Sequence, residues 1–270
     1  MMVNVLPEHS ETCVYIEEES NDKVDIDFKI ISYKSELGVS YCDSLKPFLK
    51  NFKFKNNSHI NVVTSFIVEA LLQSYEITKD KKLIETATSA AHFILKDLNR
   101  TYASNMNYTL SYSPIDKTQV FNAGLLGAKT LALIYNYTNE GYLLNEAKKI
   151  VDYVCSKQKL DGSWAYGTLP FHQWVDNFHT GYNLECIYIY QKISGDLTYR
   201  NNIYKGLDYY LNNFFTEEGI SKYYNDKIFP VDIHAPAQLL VTLAKMDILE
   251  EHKGLVEKVI RWTINNMQSQ

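Results

Sequence analysis

From about residue 60 onward, apolar positions recur at helical spacing in eight stretches, and the stretches are of two kinds. Residues 61–78, 118–137, 178–193 and 235–249 are apolar around most of the helix circumference. Residues 81–99, 142–157, 197–215 and 254–267 carry a single stripe. Leu83, Ala87, Ala90, Ile94 and Leu98 form one such stripe, and Leu143, Ala147, Ile150 and Val154 another. A helix apolar all round must be enclosed by others, whereas a striped helix covers a core from outside. The two kinds alternate, and similar short turns (T-K-D from Thr78, T-N-E from Thr138, S-G-D from Ser194) join them in pairs. Four inner–outer hairpins in two concentric layers follow. The predicted fold is all-α: an α/α toroid, or an incomplete toroid of at least four helical hairpins, over residues 56–270.

Residues 1–55 follow a different pattern. Residues 12–16 and 24–32 alternate or run apolar at strand length, separated by Glu17, Glu18 and Glu19. The expectation is a small irregular or β-containing segment. Four hairpins leave the apolar flanks of an arc uncovered, which soluble chains avoid. The N-terminal segment packed on that edge is one expected cover, and a second copy of the chain (a homo-oligomer) is another.

The repeat also carries polar residues at matching points. S-P-I-D-K-T-Q-V-F-N-A, W-V-D-N-F-H-T-G and F-P-V-D-I-H-A-P-A each place an acid just before an inner helix. Asp116 and Asp176 stand 60 residues apart, and Asp176 and Asp232 stand 56 apart. Alternation of inner and outer helices puts every loop that enters an inner helix at one end of the ring, so the three acids are expected around one cleft. Histidines follow closely at 179 and 234 but not after Asp116, which shifts the expected site toward the third and fourth hairpins.

Bulk properties narrow the partners. The chain has 46% hydrophobic and 22% charged residues, as a core-forming domain does, and a net charge of −5 that argues against a nucleic-acid binder. The basic run Lys46, Lys50, Lys53 and Lys55, interleaved with Phe48, Phe52 and Phe54, reads as a solvated amphipathic segment. No apolar run is long enough to span a bilayer, and the N-terminus lacks the pattern of a secretory signal, so a cytoplasmic location is expected. Cys13, Cys42, Cys155 and Cys186 are too scattered for a disulfide framework or a zinc site. No phosphate loop or nucleophile elbow is present, and no cofactor is expected.

The candidate chemistry is therefore that of side chains. Asp116, Asp176 and Asp232 are candidate catalytic carboxylates, and each is equally a candidate helix cap. Two carboxyls ~5–10 Å apart suit glycosidic hydrolysis. Proton abstraction from a uronate needs a base such as His172, His179 or His234. Trp174, Tyr112, Tyr166, Tyr182 and Asn122 are candidate substrate contacts, in a chain with 21 Tyr, 12 Phe and 3 Trp. Asp176, His179, Asp232 and His234 have suitable donors for zinc or calcium, but their spacing is no ligand signature, and no metal is expected. Glu185, on the inner helix after His179, is a further acid that needs a partner if buried.

Q-K-L-D-G-S-W from Gln158 resembles the turn that ends outer helices in the α/α-toroid superfamily, which includes terpenoid cyclases and protein prenyltransferases. That resemblance implies a structural tie made by Gln158 and Trp164. S-Y-S-P-I-D, Q-K-L-D-G-S-W-A-Y-G, W-V-D-N-F-H-T-G-Y-N-L-E and F-P-V-D-I-H-A-P-A-Q together resemble the six-hairpin, glycosidase-like proteins of bacterial and archaeal surface-polysaccharide clusters. This second resemblance covers about residues 58–250. It implies a carbohydrate ligand and a place in polysaccharide biosynthesis or modification, with hydrolysis and uronate epimerisation or elimination both open. A non-catalytic glycan-binding or scaffold subunit is the alternative. An isoprenoid-related toroid is a third reading, without the D-D-x-x-D run it would want.

Overall fold

The structure, a computed structural model, describes residues 12–15, 29–32 and 60–268. The chain divides into two units, Met1–Asn57 and Ser58–Gln270. In the first, β1 (Thr12–Tyr15) pairs antiparallel with β2 (Lys29–Ser32), with Thr12 opposite Ser32 and Tyr15 opposite Lys29. The rest of the expected 24–32 strand, the basic run at 46–55 and the expected packing on the ring edge lie outside the described residues.

The second unit is helical. Its helices are α1 (Asn61–Thr78), α2 (Lys81–His92), α3 (Phe121–Thr138), α4 (Gly141–Cys155), α5 (Asn177–Ser194), α6 (Arg200–Asn213), α7 (His234–Lys245) and α8 (Lys253–Met267). Each inner helix packs on the next, α1 on α3, α3 on α5 and α5 on α7, while α2, α4, α6 and α8 each cover their own inner partner. This is the toroid arrangement, built from four hairpins among the described residues.

Three of the hairpin turns are one turn repeated. Lys79, Asn139 and Gly195 end α1, α3 and α5 in the left-handed region, at φ 57°, 57° and 70°. Each N–H closes back on the carbonyl four residues earlier, at 2.8, 2.8 and 2.9 Å. The following acid begins the outer segment, and Asp80 and Asp196 accept from Lys82 N and Thr198 N.

Enclosure is uneven. α3 is buried on all sides, and α5 on most. α1 and α7 bury only one face and leave Phe66, Ile77 and Val241 exposed. The expectation of four fully enclosed inner helices is corrected to two. A terminal helix of an arc has an inner neighbour on one side only. The Tyr- and Asn-rich stretch after α2 also differs from expectation. α2 widens into a π-helical turn at Phe93–Asp97, and β3 (Arg100–Tyr102) and β4 (Tyr108–Leu110) form a hairpin. Tyr108, Thr109 and Leu110 are all buried against α3 and α4, so no alternation signals the strand.

A square of charges crosses the middle of the inner layer. Lys129 of α3, 1% exposed at its side chain, bonds Glu69 of α1 at 2.8 Å and Glu185 of α5 at 2.9 Å. Lys245 of α7 pairs with the other oxygen of Glu69, and Gln238 of α7 donates to Glu185 at 3.2 Å. Glu69, Lys129 and Glu185 are each the ninth residue of their helix. The Lys245–Glu69 pair joins the last inner helix to the first. Glu185, a candidate acid by sequence, is thus committed to structure.

The Q158–W164 turn ties two hairpins together. Gln158 donates to Gly162 O and Asn202 O, both at 2.9 Å, and Trp164 Nε1 donates to Val154 O of α4. Trp164 lies against Gly206 of α6, where a Cβ would meet the indole at 2.6 Å.

Candidate active site

The loops entering α3, α5 and α7 carry the three repeated acids, and each acid does something different. Asp116 is enclosed by its own loop. Its carboxylate accepts five hydrogen bonds, from Tyr112 N, Ser113 N and Oγ, and Thr118 N and Oγ1. It caps no helix: α3 begins after Val120, five residues from an acid already satisfied.

Asp176 caps α5, accepting from His179 N at 3.1 Å. It is 2% exposed. Trp174 Nε1 donates to its Oδ2 at 3.1 Å, and His179 Nδ1 lies 2.9 Å from both oxygens. The i, i+3 spacing at a helix start brings the backbone N–H and the imidazole of one residue onto one carboxylate. An ionised carboxylate can only accept, so Nδ1 carries the hydrogen, and in the neutral ring Nε2 is then the nitrogen with the lone pair. The side chain of His179 is 18% exposed, so the ring reaches solvent while its partner does not.

Asp232 makes a second, more open pair. It accepts from His234 N at 2.8 Å and lies 2.7 Å from His234 Nδ1. That hydrogen bond, outweighing partial burial, holds the Asp232 carboxyl below the usual range and the His234 imidazole above 6.5.

Aromatic rings frame the two pairs. Tyr166 stacks on Trp174 at 4.7 Å and 16° and touches His179 at 4.7 Å. Tyr112 and Tyr166 hydroxyls lie 3.3 Å apart. Burial, before its neighbours, pushes the Tyr166 hydroxyl well up, so it stays protonated and can donate. His172 sits edge-on to Tyr166 and Trp174 at 5.2 and 5.7 Å. It is buried, its Nδ1 is unpaired among the described residues, and burial lowers its pKa. Tyr182, one turn into α5, lies 6.1 Å from His179, and burial pushes its hydroxyl up to about 12. Phe178 joins the two pairs, 4.2 Å from His179 and 5.6 Å from His234.

Of the residues expected from sequence, Asp176, His179, His172, Trp174, Tyr112, Tyr166 and Tyr182 thus form one cluster, and Phe178 bridges it to Asp232 and His234. Asp116 borders it through Tyr112 but is satisfied by its loop. Asn122 is buried on α3 with its side-chain oxygen unpaired among the described residues. Phe178 was missed, and Phe66 of α1, which meets Tyr182 at 5.9 Å, was also missed. Neither stands out in a sequence rich in core aromatics. Among the described residues no three His, Cys, Asp or Glu side chains gather as metal ligands would, and no helix is long and apolar enough to cross a membrane.

No family model and no curated protein matches this sequence. Its structure, however, is similar to several solved ones. Cellobiose 2-epimerase from Bacillus thermoamylovorans B4167 superposes with a TM-score of 0.61 at 12% identity, over 80% of this chain and 62% of that one. A family 76 glycoside hydrolase (mannosidase) from Bacteroides thetaiotaomicron VPI-5482 gives 0.61 at 12%, over 85% and 71%. A family 88 glycosyl hydrolase from Bacteroides vulgatus gives 0.55 at 11%, over 77% and 68%. The chain thus spans less than two thirds of the epimerase and somewhat more of the two hydrolases. The shared feature is the α/α-toroid fold, which carbohydrate-active hydrolases and epimerases both use.

Proposed function

We propose that this chain is a carbohydrate-active enzyme that moves a proton on a sugar through an imidazole, as an epimerase or lyase does. The supporting observation is the Asp176–His179 pair. Twin-carboxylate hydrolysis needs one acid to protonate the leaving oxygen and another to attack or to activate water. Here Asp116 is saturated by its own loop, and Asp176 and Asp232 each hold a histidine. The free valence in the cleft is nitrogen. A neutral His179 with Nε2 unprotonated can take the hydrogen from a carbon next to a sugar carbonyl or carboxylate. Tyr166, protonated and 4.7 Å from His179 between ring centroids, is placed to donate to the oxygen that gains charge. Return of the proton to the opposite face epimerises the carbon, and loss of a β-substituent instead eliminates. His234, with its pKa raised by Asp232, is the acid for the return. The exposed indole of Trp174 supplies the stacking wall.

The carbohydrate class is supported by the fold shared with the solved enzymes, and the setting we assign is polysaccharide assembly or modification. A second reading, glycan binding without catalysis, is favoured by the count of four hairpins among the described residues, fewer than in the six-hairpin group the chain resembles. The test is turnover of reducing disaccharides and uronate oligosaccharides by wild type, His179→Ala and Asp176→Asn. Loss of about 10²–10⁴-fold in both variants supports the enzyme reading. Binding by wild type with no turnover supports the second.

A further inference from the structure

Trp174 is stacked on Tyr166 yet stays 38% exposed. Its Nε1 is fixed on Asp176. Its ring also lines a cleft of about 390 Å³, together with Lys159, Val175, Tyr224, Asn225, Asp226 and Lys227. That volume is at the lower end of the range for small-molecule sites, roughly 300–1,000 Å³. Both walls are built. Lys159 N bonds Ser163 O at 2.9 Å and Lys159 O accepts from Gly162 N at 3.0 Å, within the turn that Gln158 clamps. Opposite, Asn225 N bonds Val175 O at 3.2 Å and Asn177 N bonds Tyr223 O at 2.9 Å, so the 223–225 segment is laced to the segment carrying Trp174. Lys222 Nζ closes that loop on Asn225 O at 2.8 Å.

The charges in this cleft differ in sign from the chain as a whole. Lys159 and Lys227 face a single acid, Asp226, so the lining is net positive in a protein of net charge −5. Lys227 Nζ sits 4.6 Å from the Tyr224 ring centroid, and neither lysine has an ion-pair partner among the described residues. Their ammonium groups keep donors for a ligand.

We propose that this cleft is a second sugar subsite, selective for a carboxylate-bearing residue of the glycan. The chain of sugars crosses Trp174, so that one ring meets His179 and its neighbour places its carboxylate between Lys159 and Lys227. This deepens the reading given above and rests on it for the position of the reacting ring.

The test is calorimetric binding of a galacturonic acid trisaccharide and of its methyl ester to the full chain. Wild type is expected to bind the acid about tenfold more tightly than the ester, with the preference falling as salt is raised. The double variant Lys159→Ala/Lys227→Ala should lose that preference and leave ester binding unchanged. Asp226→Asn should strengthen acid binding a fewfold by removing like charge. All three side chains are exposed and far from the core, so the folded state survives. Acid bound no more tightly than ester by wild type, or not bound at all, overturns the subsite, as does a preference that survives the double variant. His179→Ala separates the two proposals. A lost turnover with no acid preference leaves the proton-transfer reading standing and sinks the subsite. An acid preference with turnover intact in that variant does the reverse.

Discussion

Two aspartates sixty residues apart in register hold different partners, and the difference is local. Asp116 has Ser113 and Thr118 around it, short side chains whose hydroxyls and amides curl onto one carboxylate. Asp176 has Trp174 before it and His179 one turn on, so its acceptors go to rings that face the cleft. Asp116→Ala is therefore expected to lower stability by roughly 2–3 kcal/mol, read by urea unfolding, through loss of charge-assisted bonds in a loop. The Asp232–His234 pair gives a pH signature. Its hydrogen bond raises the imidazole pKa, so the pair's stabilisation is complete below 6.5 and fades as pH rises through the higher folded value. With the His234 side chain 64% exposed, the effect on stability is small. In proton NMR, His234 should titrate above 6.5 and Asp232→Asn should bring it back down. The sequence shows the acids and histidines because they repeat. It does not show which acid is satisfied by its own loop, because that depends on how the loop between 112 and 118 closes.

Hairpin turns are the part of this chain most fully legible in sequence. T-K-D, T-N-E and S-G-D differ in all but the last residue's acidity and the first residue's hydroxyl, yet all three fold alike. The middle residue sits in the left-handed region in each, so substitutions there have opposite expected signs. Gly195→Ala, with nothing within 4 Å of the new Cβ, should cost about 1 kcal/mol from backbone conformation alone. Lys79→Gly should gain up to about 1 kcal/mol, less the entropy a glycine adds to the unfolded chain. Chemical denaturation of both variants checks the pair. The turn at Gln158 behaves as its resemblance implies: Trp164→Ala should cost roughly 3–5 kcal/mol, since the indole is fully buried against α6. The β3–β4 hairpin was invisible for the reason that usually reveals a strand. All three residues of β4 are covered, so the period of two never appears.

The four inner helices meet on charge as well as on apolar surface. Glu69, Lys129 and Glu185 recur at the spacings of the helices themselves, and the sequence held that signal. Apolar periodicity drew attention to the helix faces and left two of these three ionisable residues, Glu69 and Lys129, unread. Burial tends to raise the Glu69 pKa, yet Lys129 and Lys245 outweigh it and hold it below 4.5. Its stabilisation is thus present above 4.5 and lost as pH falls through the lower folded value. Lys129→Met should cost roughly 3–5 kcal/mol by leaving the buried Glu185 without an ion-pair partner, and acid should partly rescue it as that carboxyl protonates. The square also explains how an arc of four hairpins keeps a defined interior, since Lys245 returns the last inner helix to Glu69 of the first. At one end of this inner layer, the loops entering α5 and α7 carry the Asp176–His179 and Asp232–His234 pairs. The proton transfer proposed there would leave an isotopic record. Wild type incubated in D2O with cellobiose and with uronate oligosaccharides should either place solvent deuterium on a sugar carbon beside the carbonyl or carboxylate, by epimerisation, or release an unsaturated uronate, by elimination, and His179→Ala should do neither. Release of saturated sugars with no carbon-bound deuterium, or exchange or elimination that persists in His179→Ala, would contradict the imidazole mechanism.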